Sequence, residues 1–176
     1  MKPIHLIPLG VGLDLVEQLA AALARTFHTP CRIRPQTLDI SFALDANRGQ
    51  HHSTAILQRL ERLAEPGTRL LAVTSSDLYV PVLTFVFGEA QLEGNCAVVS
   101  TARLREEFYG LPARIELLHE RLLKEATHEL GHTFGLRHCQ DWSCVMASSH
   151  AVEVMDVKGA DFCSACRKPV TNGSYW

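Results

Sequence analysis

His128-Glu129-Leu130-Gly131-His132-Thr133-Phe134-Gly135-Leu136-Arg137-His138 sets two histidines four residues apart and a third six residues later. A helix turns about 100° per residue, so His128 and His132 stand about 40° apart, one turn along the same face. Both imidazoles then reach one ion at the ~2.0–2.1 Å of a zinc–nitrogen bond, pointing away from the Leu130 core direction. A continued helix would carry His138 too far along the axis to share that ion. The chain must turn back, and Gly135 supplies the left-handed residue that such a turn needs. Three neutral imidazoles leave a fourth tetrahedral position open to water, which distinguishes a catalytic from a structural zinc. The ion lowers the pKa of that water towards ~7, and Glu129, adjacent to His128, is placed to accept its proton and pass it to a leaving amine. The glycine and third histidine at fixed offsets make the pattern far more specific than H-E-x-x-H alone.

Upstream the helical period continues. From Pro112, which suits a first helical turn, to Phe134, the residues Ile115, Leu122, Leu123, Ala126, Leu130 and Phe134 fall within about 80° of one direction. One long helix with a single core face is expected. His119 lies near that core face, opposite the zinc histidines, and is a poor ligand candidate. Earlier still, residues 2–9 read as a buried strand, Asp14 to Phe27 as an amphipathic helix, and Cys31 to Pro35 as an alternating strand. A helix from Ser53 to Ala64, stopped by Pro66-Gly67, leads into a strand at Thr68 to Thr74. Strands alternating with helices imply a mostly parallel sheet with right-handed crossovers. The apolar run Leu83–Phe87 and the strand Cys96–Ser100 are joined too briefly for a crossover, so they are expected to pair antiparallel, one of them at an edge. An extended peptide could add to that edge as an extra strand, with Leu83–Phe87 as the docking candidate.

Downstream, Cys139 follows His138 directly. Cys139-x4-Cys144 is answered after eighteen intervening residues by Cys163-x2-Cys166, and two such pairs suit a closed four-cysteine zinc site. Disulfides within each pair are the alternative in an oxidising compartment. Cys31 and Cys96 sit alone in apolar segments and read as small buried hydrophobes. Because His138 and Cys139 share a peptide bond, the cysteine site is placed to fix the third histidine.

The composition excludes other classes. With 176 residues, 17 basic against 19 acidic side chains and 47% hydrophobic residues, the chain has apolar material for a core and no basic block for nucleic acid or an anionic membrane. Its longest apolar stretch, Leu78 to Gly88, is about half the ~20 residues of a spanning helix and contains Pro81. The N-terminal region, broken by His5, Pro8, Gly10 and Gly12, reads as a strand entering a helix rather than an export signal.

The eleven-residue pattern resembles that of the metzincin clan of zinc peptidases, which also set a methionine in a tight turn beneath the metal. Met146, eight residues after His138, fits that place, while Met155 reads as packing. The whole run, His-Glu-x-x-His-x-x-Gly-x-x-His-Cys-x4-Cys-x-Met followed by Cys-x-x-Cys, closely resembles the archaemetzincins. The likeness continues upstream through Val73–Tyr79, Phe85–Gly88 and Ala97–Leu104, and covers residues 68–169; the first third shares only α/β character. The resemblance implies an α/β, α+β-like metzincin domain: a twisted mixed sheet with one antiparallel edge strand packed on helices, the active-site helix and a zinc-stapled C-terminal subdomain. It implies a single domain over 1–176, with a four-cysteine zinc region at about 139–169. His128, His132 and His138 would bind the catalytic zinc, Cys139, Cys144, Cys163 and Cys166 the structural one, with Glu129 as base. The expected function is hydrolysis of peptide bonds in peptides or proteins by a cytoplasmic monomer. Alternatives are a zinc-stabilised peptide binder with little turnover and a zinc hydrolase of a non-peptide amide. Tyr79, Tyr109 and His150 are candidates for stabilising the oxyanion.

Overall fold

The structure, a computed structural model, describes residues 2–34 and 38–172. In chain order the elements are β1 (Ile4–Leu9), α1 (Leu13–Phe27), β2 (Cys31–Ile33), β3 (Leu44–Asp45), β4 (Gln50–His52), α2 (Ser53–Glu61), β5 (Arg69–Thr74), β6 (Leu78–Tyr79), β7 (Gly88–Ala90), β8 (Cys96–Ser100), α3 (Ile115–Thr133), α4 (Val152–Val157) and α5 (Ser164–Asn172). Five strands form the main sheet in the order β2-β1-β5-β8-β7, all parallel except β7, which pairs antiparallel with β8 at the edge. This is the mixed α/β arrangement read from the sequence. The expected strand end at Pro35 lies outside the described residues.

Every residue of β5 and β8 is buried because both faces of the sheet are covered, so these strands carry near-continuous apolar runs instead of alternating. Ile4, Leu6, Leu71, Val73, Ala97 and Val99 face α1 and α3 in one core, and Ile7, Leu9, Leu70, Ala72 and Val98 face α2 in the other. Phe27, at the end of α1, stacks on Phe134 at 5.5 Å and meets the edge of Phe162 at 5.7 Å. One ring thus ties the first helix to the end of α3 and to the C-terminal segment.

Three expectations need correction. The edge strand is Gly88–Ala90 rather than Leu83–Phe87: the chain turns at Val80–Leu83, where the Leu83 N–H donates to the Val80 carbonyl at 3.0 Å, and Val86 alone bridges to Leu78. Pro81, which has no N–H, favours that turn over a ladder. Ile115 is exposed at the first turn of α3, where the helix runs past the end of the core; Leu118 takes its place inside. A second, three-stranded sheet, β3-β4-β6, stands beside the single sheet expected, because strands of two or three residues carry no readable period. No helix among the described residues is long and apolar enough to cross a membrane.

Candidate metal centres

The C-terminal half of α3 runs beneath the edge of the main sheet, with His128 and Glu129 both buried. The helix ends in a Schellman motif: the Gly135 N–H donates to the His132 carbonyl at 2.9 Å and the Leu136 N–H to the Gly131 carbonyl at 3.2 Å. Gly135 has φ +83°, the left-handed turn expected from the sequence. The turn brings the His138 ring to 5.3 Å from that of His128 and 5.2 Å from that of His132. One ring nitrogen from each of the three lies within 4.8 Å of the others.

Hydrogen bonding selects which nitrogens face inward. His128 Nδ1 lies 2.9 Å from the Val145 carbonyl and His132 Nδ1 lies 2.7 Å from the Leu136 carbonyl. A carbonyl only accepts, so each Nδ1 carries the proton, and the two Nε2 atoms, 3.1 Å apart, face each other with lone pairs. Burial, with a contribution from the Lys158 cation, pushes His128 down to about 3; burial likewise lowers His132. Neither ring gains a proton readily to relieve the contact. Two nitrogens bound at ~2.0–2.1 Å to one tetrahedral ion stand about 3.3–3.4 Å apart, so the site fits a zinc-sized cation. The turn that delivers His138 also orients His132, through Leu136.

Glu129 lies against the edge strand. A Cβ added at Gly88 would come within 2.7 Å of Glu129 Cγ, so only a glycine there lets β7 pass so closely over the carboxylate. Glu125 lies one turn back from Glu129 on α3, and burial together with the Glu125 carboxylate raises the Glu129 pKa well above the usual range. Lys158, also buried, donates to the Ala147 carbonyl at 3.0 Å, and its charge acts on both glutamates. Glu125 and Lys158 do not stand out in the sequence as site residues. Glu125 and Glu129 form an i,i+4 pair of like charges, the one signal available; Lys158 had none.

The four cysteines converge beside this site. Their sulfurs lie within 4.8 Å of one another, and Cys139 and Cys163 are 3.9 Å apart, close to the ~3.8 Å expected of two sulfurs ~2.3 Å from one tetrahedral zinc. All six cysteines are free thiols in the structure. Burial raises the Cys144 thiol, and the N–H groups of Cys163 and Met146, which donate to its Sγ at 3.3 and 3.4 Å, offset part of that rise. Cys163 is lowered to about 7, chiefly by the backbone N–H of Cys166. Cys96 is fully buried as expected while Cys31 is only half-buried against the main core, and burial raises each thiol to about 11.

One short segment serves both clusters. Cys144 contributes its sulfur, Val145 the carbonyl that orients His128, and Met146 a carbonyl that accepts the Cys139 N–H at 2.9 Å. Met146 is fully buried with its sulfur against Gly131, where any Cβ would clash. Met155 is core packing, as expected.

Two of the three candidate oxyanion groups have other partners. Tyr79 lies under Arg48, 4.1 Å from the ring centroid, and stacks on His52; Tyr109 donates to the Arg103 carbonyl at 2.9 Å; His150 is exposed. His119 lines a groove between α1 and α3 with Leu15, Leu19 and Arg25, as its helical angle indicated.

A mixed sheet over a helix that carries two histidines of a three-histidine cluster, backed by a four-cysteine cluster, defines a metallopeptidase-type α/β domain. The chain belongs to peptidase family M54, a family of zinc metallopeptidases, whose model matches residues 38–172. It is 45% identical over 139 residues to the archaemetzincin of Methanocaldococcus jannaschii, covering 78% of this chain and 75% of that one. It is 39% identical over 168 residues to the archaemetzincin of Archaeoglobus fulgidus, covering 95% and 98% respectively. The crystal structure of that Archaeoglobus protein, complexed with malonate, superposes with a TM-score of 0.82 over 95% of this chain and 99% of its own. A zinc-dependent peptidase from Methanocorpusculum labreanum, 30% identical, superposes with a TM-score of 0.87 over the same shares.

Proposed function

We propose that the chain hydrolyses peptide bonds at a zinc ion held by His128, His132 and His138, with Glu129 as general base. Cys139, Cys144, Cys163 and Cys166 hold a second, structural zinc, and Met146 forms the supporting turn. The observation that carries this reading is the pair of unprotonated Nε2 atoms 3.1 Å apart, each fixed by a backbone carbonyl behind it. When bound, zinc supplies Lewis acidity that makes water nucleophilic near neutral pH and polarises a carbonyl. Glu129 accepts the proton of the attacking water and returns it to the leaving amine; a carboxyl raised by burial suits a group that must both take and give a proton. The outer edge of β7 receives the substrate as an added strand, which brings a peptide carbonyl over Glu129. Four thiols around one ion suit a reducing compartment, and we assign a cytoplasmic monomer of one domain, with its cysteine region at 139–169, acting on peptides or proteins rather than on nucleic acid or membranes.

The test compares the zinc-loaded protein with Glu129→Ala on a diverse peptide library, read by mass spectrometry alongside metal analysis. Cleavages made only by the native protein are expected. Two bound ions with no cleavage by either protein would replace this reading with a peptide-binding role or a non-peptide amide substrate.

A further inference from the structure

The edge strand touches the centre, yet it has little with which to distinguish one substrate side chain from another. Gly88 has no side chain and Ala90 contributes a methyl packed on the main core. Glu89 points to the opposite face, where its carboxylate accepts hydrogen bonds from the Ser53 and Thr54 hydroxyls at the start of α2. Main-chain pairing with β7 holds any extended peptide alike, so discrimination must come from beside the strand.

The segment that enters β7 carries two apolar side chains in solvent: Val82 is 89% exposed and Leu83 52%. Single exposed apolar residues are ordinary, but this loop is held with unusual care. Arg48 Nη2 donates to the carbonyls of Leu83 and Thr84 at 2.8 and 3.0 Å. Gln50 Nε2 donates to the Thr84 carbonyl at 3.0 Å and to Asp77 at 2.9 Å. Arg103 grips Asp77 with two bonds of 2.8 Å while lying 4.2 Å over the Phe85 ring. The polar groups of β4, β6 and their flanks thus fix the loop backbone and leave its apolar tip outside, continuous with the strand that passes over Glu129. A rigid apolar surface loses little conformational entropy on contact, which is what a recognition element requires.

We propose that Val82 and Leu83 are specificity-determining residues of this peptidase, receiving an apolar side chain of the substrate on the C-terminal side of the scissile bond. The proposal rests on the peptidase reading and on strand addition to β7. The side follows from direction: antiparallel pairing is the more stable form, and a peptide antiparallel to β7 runs towards Phe87 and the loop as it leaves Gly88. The distance follows from chain length. Leu83 lies five residues before Gly88, at most ~17 Å of extended chain, so the apolar residue falls within about five positions of the cut.

The experiment compares native protein with Val82→Ser/Leu83→Ser on peptide pairs that differ by leucine or serine at each of those positions. The native kcat/KM ratio, leucine over serine, is expected to be at least about tenfold at one position and to fall below about twofold in the variant, with unchanged melting curves. A native preference confined to the N-terminal side, no native preference, or a preference retained by the variant overturns the proposal. A second measurement does not need turnover: in zinc-loaded Glu129→Gln protein, the methyl resonances of Val82 and Leu83 should shift on adding the leucine peptide and not the serine peptide. Methyl shifts without cleavage by native protein would reject the peptidase reading and keep the contact; the same shifts with both peptides, or with neither, would reject the contact.

Discussion

Replacing Gly131 by alanine tests the contact between α3 and the Met146 turn. In a helix interior this change normally stabilises by ~1 kcal/mol, because glycine loses more backbone freedom on folding. Here the added Cβ falls deep inside the radius of Met146 Sδ, 3.1 Å from Met146 Cε and 3.3 Å from a Phe162 ring carbon. Overpacking of a closed core costs ~1–3 kcal/mol, so the net effect is a loss of up to ~2 kcal/mol instead of a gain. For a chain of this size a loss of ~1 kcal/mol lowers Tm by ~2–4 °C. Met146→Ala removes the obstruction, and in that background Gly131→Ala should recover its normal stabilising sign. The difference between backgrounds, ~1–3 kcal/mol, is the coupling energy, measured by urea denaturation of the four metal-free proteins. Displacement of Met146 also disturbs Val145, whose carbonyl orients His128, so Gly131→Ala should bind metal at the histidines more weakly in competition with a chelator. An alanine that stabilises both backgrounds equally would refute the reasoning.

Glu129→Gln should retain both metals while kcat falls ~10²–10⁴-fold, as expected for a lost general base; unchanged kcat would remove Glu129 from that role. Cys163→Ser should weaken metal binding at both clusters, because Cys139 adjoins His138 and Cys144 shares its segment with Val145; a variant that loses one ion and keeps full activity would refute the coupling. In the metal-free protein His128 is held to about 3 against 6.5 for the free side chain, so below pH 6.5 the unfolded chain takes up a proton that the folded chain refuses. Stability should therefore fall by ~1.4 kcal/mol per pH unit from pH 6.5 towards 3 through this residue, and that slope should be missing in His128→Gln when the two proteins are compared by denaturation across the range.

The helix, its two histidines and the glutamate between them could be read directly because they depend on local geometry: a period near 3.6 puts His128 and His132 on one face whatever surrounds them. The return of His138 was equally local, since Gly135 sits where a Schellman turn needs a positive φ. The edge strand was displaced from Leu83–Phe87 to Gly88–Ala90 because hydrophobicity marked as a strand a segment that leaves an exposed turn at Leu83 and packs Phe85, Val86 and Phe87 on the cores before pairing begins. What holds that loop outside is Arg48, Gln50, Asp77 and Arg103, contributed by distant parts of the chain.

Cysteine spacing alone left a metal site and disulfides both open; the fold gathers all four sulfurs within 4.8 Å of one another, a cluster that could hold one metal ion. Glu125 and Lys158 were out of reach for a related reason. A buried charge is defined by what surrounds it, and Lys158 becomes a neighbour of Glu129 only when the segment after Met146 folds back beneath α3. By itself the sequence determined the candidate ligand types, their order and the helix that carries two of them, because residue chemistry and helical period are properties of the chain. Tertiary structure alone decided the inward-facing nitrogens, the glycine contacts over Glu129 and under Met146, and which strand lies at the sheet edge, because each depends on atoms that the chain brings together only on folding.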